Sequence, residues 1–198
     1  PMETCIRYYD DVLSNDFCKN LIERFEASKN KQPGKMVTKD NVDIINKSHK
    51  DTLELVIDND PNWRDIEEVL TNCYMEFVQR YINEFNPLLA IGQETYREEF
   101  RIKKYDIGGL FNWHIDCVGK DYYRILAIQF YFNDVQEGGE TQFEFQKASV
   151  KPQRGRLIIF PTTWTYRHRG APVISNSKYV CTNYLRVRPD GSPEPPAT

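Results

Sequence analysis

"RILAIQFYF", residues 124–132, reads as a β-strand with two unlike faces. Side chains alternate across a strand, so Leu126, Ile128, Phe130 and Phe132 make one continuous apolar face that a helix can cover. The other face carries Ala127, Gln129 and Tyr131, a mixture of small, amide and phenol groups that lines a cavity better than it fills a core. A strand covered by a helix on one side and open to a cavity on the other fits a β-sandwich or barrel with helices packed outside.

The flanking sequence agrees. From about residue 94 the helical period is lost, and short strand-like runs follow one another: "TYREEFRIKKY", "GETQFEF", "ASVKP", "GRLIIFPT", "TYRHR" and "KYVCTNYLRVR". Gly108-Gly109, Gly138-Gly139, Pro152 and Pro161 punctuate them. Upstream, Ser14 caps a helix through "NDFCKNLIERFEASKN", whose Phe17, Leu21, Ile22 and Phe25 share a face. Asp60-Pro61 starts a second, whose apolar stripe runs from Trp63 to Phe85 before "NPLL" ends it. The expected fold is α+β: a double-stranded β-helix (jelly-roll) core over about 94–188, with two or more N-terminal helices packed on one face. Residues 1–188 form a single domain on this reading, with helical support over about 1–93, and 189–198, "PDGSPEPPAT", form a disordered tail.

Composition bounds the function. A net charge of -3 gives no global attraction to phosphate backbones, so no nucleic-acid partner is expected. The five cysteines are odd in number, widely spaced and without a CxxC pair, which argues against a disulfide framework or a zinc cluster. No run is long and apolar enough for a signal core or a membrane span, and the expected setting is cytoplasmic.

The chemistry is suggested by "FNWHIDCV", residues 111–118. On a strand His114 and Asp116 project to one side, supplying two members of a two-histidine, one-carboxylate triad of the kind that holds non-haem Fe(II). HxD alone recurs by chance, and a surface histidine is the ordinary alternative. The third ligand is His168 in "TYRHRG"; His49, in the polar segment between the helices, is a poorer candidate. Ten residues after His168, Lys178 stands on an otherwise apolar or neutral strand, where an inward lysine is costly unless an anion meets it. A small dicarboxylate spanning the metal and Lys178 would be that anion.

The ordered set "YDIG", "HID", "YRILAIQFYFND", "EGGETQF", "KPQRGRLIIFP" and "HRGAPVISNSKYVCTNYL" resembles the 2-oxoglutarate and Fe(II)-dependent dioxygenases of the prolyl 4-hydroxylase-like group, over roughly residues 94–188. The resemblance implies that His114, Asp116 and His168 bind Fe(II), leaving positions for 2-oxoglutarate and O2. It implies that Lys178 pairs with the distal carboxylate of 2-oxoglutarate, assisted by Tyr105, Tyr131 and Thr141, and that ascorbate supports turnover. The activity implied is oxidative decarboxylation of 2-oxoglutarate to succinate and CO2, coupled to C–H hydroxylation, with peptidyl proline the leading substrate and a small molecule or another amino-acid residue the alternative. Arg124 matches a substrate-contacting arginine of the family, with Tyr184, Arg186 and Trp113 as further substrate candidates and Trp164 as a second possible wall. A strand-end arginine and core aromatics are the bland readings of these positions.

Two departures bear on the substrate. Phe111 replaces a tyrosine found at the substrate site of relatives, and Tyr184 and Arg186 stand where a tryptophan and a histidine can occur. Arg154, Arg156, Arg167, Arg169, Arg186 and Arg188 either favour an acidic substrate or form a solvated face. Residues 30–52, polar and with Pro-Gly, are a candidate lid. A metal-binding jelly roll without catalysis is the rival from another class, and Lys178 argues against it.

Overall fold

The structure, a computed structural model, describes residues 4–38, 40–85 and 94–188. The expected disordered tail at 189–198 and the "NPLL" terminator lie outside the described residues.

Strands outnumber helices in the regular structure and form two main sheets with a buried cluster between them. The large sheet is built on β9 (Arg124–Tyr131), β12 (Leu157–Pro161) and β14 (Lys178–Val187), with β7 (Arg101–Tyr105) and β5 (Leu53–Val56) beyond β14 and β1 (Arg7–Tyr9) beyond β12. β2 (Gln32–Pro33) finishes one edge, and β6 (Thr95–Arg97) pairs with the far end of β14. The small sheet is ordered β11 (Ala148–Val150), β10 (Thr141–Phe143), β13 (His168–Gly170), β8 (Phe111–His114). β3 (Met36–Val37) and β4 (Asp43–Ile44) form a separate hairpin.

β9 divides its faces as its alternation predicts. Leu126, Ile128, Phe130 and Phe132 enter one buried cluster with the helical residues Leu21, Phe25, Leu70 and Tyr81. Ala127 and Tyr131 enter the other cluster, between the sheets, with Phe143 and Phe160. Burial of each large side chain contributes about 1.5–3 kcal/mol, so the helix-covered face is a principal source of stability.

α1 (Asn15–Ala27) begins at Ser14, whose Oγ accepts a hydrogen bond from the Phe17 N–H at 3.2 Å. It ends at Ala27 because Ser28 turns extended, three residues short of the predicted run. α2 (Arg64–Glu84) is preceded by a 3-10 turn over Pro61–Trp63 that Asp60 caps. Its buried face, Ile66, Leu70, Tyr74, Phe77, Val78 and Tyr81, is narrower than the predicted stripe, and Val69 is exposed.

The predicted run "TYREEFRIKKY" is two strands, β6 and β7. The interruption has a physical cause, since the Phe100 N–H is taken by the Asp58 carboxylate and Glu98 turns to Arg124. The segment 30–52 is more ordered than a loop reading implies: β2 joins β5, and the β3–β4 hairpin is tied to the body by Lys120, whose N–H and Nζ donate to Asn41 Oδ1 and Asp43 Oδ1, each at 3.0 Å. All five cysteines are free.

Candidate active site

β8 and β13 are neighbours in the small sheet, and their register places His168 directly opposite His114. β8 stops at His114, so Asp116 sits on the bend beyond the strand rather than two steps along it as the sequence suggests. It reaches the same point in space nonetheless. Asp116 Oδ1 lies 3.4 Å from His114 Nε2, and its Oδ2 lies 3.4 Å from His168 Nε2.

Each imidazole is oriented by its other nitrogen. His114 Nδ1 is 2.7 Å from the Asn112 carbonyl and His168 Nδ1 is 2.9 Å from the Tyr166 carbonyl. Nδ1–H therefore donates to backbone, and Nε2 is the nitrogen that faces Asp116 and is placed to ligate a metal. One ligand atom from each of the three residues falls within 4.8 Å of the others, the only such group among the described residues. Two donors each about 2.1 Å from a shared ion at right angles stand about 3 Å apart, so the arrangement fits an octahedral face of a small divalent cation.

Protonation states agree with that use. Burial, reinforced by His114, pushes the His168 imidazole down to about 4, so it is neutral near pH 7. Burial alone would raise Asp116, but His168 and then His114 hold its carboxyl well below the usual carboxylate range. The Tyr184 hydroxyl donates to Asp116 Oδ1 at 3.1 Å, and burial followed by the Asp116 charge keeps that phenol protonated.

Lys178, at the start of β14 and 2% exposed, lines the same cavity as the triad. Its Nζ donates to the Gly139 carbonyl at 2.9 Å and lies 4.1 Å above the Tyr105 ring. Burial, with a smaller contribution from Lys103, lowers this ammonium to about 7 against the opposing pull of Glu140. Thr141 also faces the cavity. Gln129 Nε2 donates to its hydroxyl oxygen at 3.2 Å and Tyr131 OH lies 2.6 Å from it. If the phenol is the donor, the threonine O–H is left free to donate inward. Tyr131 is thus a support behind Thr141 rather than part of the cavity lining.

The substrate candidates separate. Tyr184 lines the cavity. Arg124 lies in the wider groove outside, gripped by Glu98 at 2.8 Å through two nitrogens and by Asp121 at 3.2 Å, with its guanidinium 3.8 Å over the Tyr184 ring. Arg186 shares Glu98, at 3.1 Å. Trp113 is not brought to the cavity: adjacent residues on a strand face opposite ways, and its ring lies beneath the Arg167 and Arg169 guanidinium groups. Trp164 is 69% exposed on a 3-10 turn, beside Phe145. His49 packs edge-on against Phe111 rather than joining the ligands. Of the surface arginines, Arg156, Arg167 and Arg188 are each matched by an acid. Sequence reasoning missed Lys103, a buried lysine on the cavity side of β7. The signal was its position two residues before Tyr105, which puts both on one strand face.

The two-sheet fold thus brings a buried His-Asp-His cluster able to hold a metal ion and a buried lysine to one cavity. Residues 100–186 match the family model described as the 2OG-Fe(II) oxygenase superfamily. The chain is 27% identical over 140 residues to "Probable prolyl 4-hydroxylase 9" of Arabidopsis thaliana, covering 57% of this chain and 47% of that one. It is 32% identical over 108 residues to prolyl 4-hydroxylase subunit alpha-1 of Gallus gallus, covering 46% and 21%. The chain thus spans less than half the length of these curated relatives. Its fold is that of a Trichoplax adhaerens prolyl hydroxylase solved with a hypoxia inducible factor peptide fragment (TM-score 0.75, 16% identity, 93% and 84% covered). It is also that of a Pseudomonas putida prolyl-4-hydroxylase (TM-score 0.70, 17% identity, 94% of each chain covered). The resemblance to a prolyl 4-hydroxylase-like 2-oxoglutarate/Fe(II) oxygenase is borne out by these likenesses. No helix among the described residues is long and apolar enough to cross a membrane.

Proposed function

We propose that this chain is a 2-oxoglutarate- and Fe(II)-dependent hydroxylase. The observation that carries the reading is one cavity lined by His114, Asp116, His168 and Lys178, three ligands and a buried cation positioned to hold a metal and a dicarboxylate together. Bound Fe(II) supplies the redox chemistry by which 2-oxoglutarate, O2 and a C–H bond become succinate, CO2 and C–OH. The protein's own work is positional. His114 and His168 present Nε2, fixed by their Nδ1 bonds to backbone, and Tyr184 steadies the Asp116 carboxylate. Lys178 fixes the distal carboxylate, Tyr105 walls that end beneath the ammonium, and Thr141 offers its hydroxyl with Tyr131 behind it.

Peptidyl proline is the substrate we favour, because the relatives by sequence and fold are prolyl hydroxylases; a small molecule or another residue type is the second reading. Arg124, Arg186 and Tyr184 border the groove a peptide would enter, while Trp113 would act only from outside it. Residues 1–188 act as one unit on this reading, ascorbate sustains turnover, and the setting is cytoplasmic, as the cysteine usage favours.

The test is succinate formation from 2-oxoglutarate with Fe(II), ascorbate and O2, without substrate and across a proline-rich peptide panel. Turnover abolished by His114→Ala and stimulated by a peptide is expected. Wild-type protein that binds neither metal nor 2-oxoglutarate would overturn the reading.

A further inference from the structure

Lys103 is the one buried cation in the site that the cosubstrate does not use. It lies on β7 directly across from Val180 of β14, and Tyr105 on its own strand and Thr182 and Tyr184 on β14 line the same cavity. It is 5% exposed and lines both the metal cavity and the wider groove outside, where the two meet. The register of β5 against β7 sets Glu54 directly across from it, which is where a neutralising partner belongs.

The short contacts of Glu54 go to other groups, although it still feels the Lys103 charge. Its Oε1 is 2.7 Å from Lys50 Nζ and accepts from Thr52 Oγ1 at 2.8 Å, and its Oε2 faces the Arg101 guanidinium at 3.6 Å. No carboxylate among the described residues comes within 4.0 Å of Lys103 Nζ, and Asp116, the other acid that acts on it, belongs to the metal face. Once a divalent ion, Asp116, Lys178 and a dicarboxylate occupy the cavity, their charges cancel. Glu54, which feels both Lys103 and Lys50, supplies one negative charge against the two lysines, and the half-exposed Arg101 is answered by water. One buried positive charge of that pair remains, and Lys103 is the lysine of the two that lines the metal cavity. Burial first, and then Lys50, bring the ammonium down to about 8 against the pull of Glu54, so it is still charged near neutral pH. An uncompensated buried ammonium is costly to the fold, and an incoming anion recovers that cost.

We propose that Lys103 is a specificity residue that binds a carboxylate of the primary substrate, so that the group hydroxylated lies within a few bonds of an acid. The inference rests on the oxygenase reading and deepens it. Two sources carry that chemistry: the free α-carboxylate of a small amino acid, and an acidic side chain next to the target residue of a peptide.

The test loads the full chain with Mn(II) and the unreactive 2-oxoglutarate mimic N-oxalylglycine, then titrates two matched pairs by calorimetry. N-acetyl-L-proline against N-acetyl-L-prolinamide reads the first source, and acetyl-Asp-Pro-Gly-amide against acetyl-Asn-Pro-Gly-amide the second. In at least one pair the acid binds about tenfold or more tighter than its amide, and in Lys103→Met that ratio falls to about twofold or less. Lys103→Gln repeats the measurement should the Met variant fail to fold. Absence of an acid preference in the wild type, including absence of binding by all four probes, overturns the proposal. So does a preference that survives in both variants, or one that survives while N-oxalylglycine binding is lost, which would make Lys103 a cosubstrate residue. Wild-type protein that fails to take up Mn(II) and N-oxalylglycine in the first place overturns the oxygenase reading, and the proposal with it.

Discussion

Replacement of Lys178 by Met keeps the stem and removes the charge, and its effect on cosubstrate binding follows from the geometry. The ammonium is 2% exposed and makes one hydrogen bond, to the Gly139 carbonyl at 2.9 Å, which leaves two N–H donors for a ligand. A carboxylate about 3 Å from it interacts by about 5 kcal/mol at an effective dielectric near 20. The fold has already desolvated the ammonium, so little of that is spent on the protein side at binding, and removing one member of a buried pair typically costs about 3–5 kcal/mol. The expected loss in 2-oxoglutarate affinity is therefore about 10²- to 10⁴-fold. A pH signature accompanies it. Burial lowers Lys178 to about 7, and only the ammonium binds the carboxylate, so affinity is flat below that pH and falls about tenfold per unit above it. Stability of the ligand-free protein moves the other way. The unfolded lysine titrates near 10.4, so between about 7 and 10.4 the unfolded chain binds more protons, and the penalty for burying the charge fades as pH rises through that window. Calorimetry of 2-oxoglutarate binding to the Mn(II)-loaded protein from pH 6 to 9 measures the affinity loss and its pH dependence, and urea melts of the ligand-free protein over the same range measure the stability trend. A loss under about threefold in Lys178→Met, or an alkaline slope that persists in the variant, would refute the reasoning.

Tyr184→Phe removes the 3.1 Å donor to Asp116 and is expected to weaken metal binding about 10- to 100-fold, read by competition with a chelating dye; an unchanged affinity would return Tyr184 to a purely substrate-facing role. His168→Ala, unlike the wild type, should show no thermal stabilisation by Mn(II), because two donors do not hold the ion; a retained shift in Tm would argue against the triad. Gly138→Ala is expected to destabilise by roughly 2–3 kcal/mol in urea melts, since the residue sits at φ +76° and a Cβ there would strike the Pro172 carbonyl; a cost under about 0.5 kcal/mol would count against that local backbone. If the β3–β4 hairpin closes over substrate, proteolysis within 36–44 should slow when Mn(II), N-oxalylglycine and a binding peptide are present together, and unchanged cleavage would show that it does not close.

What the sequence disclosed was whatever depends on neighbours along the chain. The two faces of β9, the Ser14 cap and the pairing of His114 with Asp116 are short-range patterns, and they could be read before any contact was known. What stayed hidden depends on distant partners. β1 is three residues long and exists because β12 pairs with it across some 150 positions, so "RYY" alone carries no strand signal. Arg124 looks free in sequence but is held by Glu98, 26 residues earlier. Lys103 resembles its exposed neighbours in "FRIKKY" until β5 and β14 enclose it.

The same distinction explains how the site's charges are divided. Asp116 and Lys178 line the metal cavity itself. Arg124, Arg186 and Lys103 lie on the groove side, where each cation's availability is decided by an acid from another segment: Glu98 occupies both arginines, whereas Glu54 is shared between Lys103 and Lys50 and makes its short contact to Lys50. Two ion pairs therefore separate an arginine that shapes the groove wall from a lysine left to meet an incoming acid. Glu54→Gln exchanges a carboxylate for an amide and releases Lys50 as a second uncompensated cation beside Lys103. Acid-over-amide discrimination should then rise about threefold or more at low salt, where mutual repulsion of the two ammonium groups is relieved only by an anion. A fall in discrimination would mean that Glu54 positions Lys103 rather than competing for its neighbours' charge.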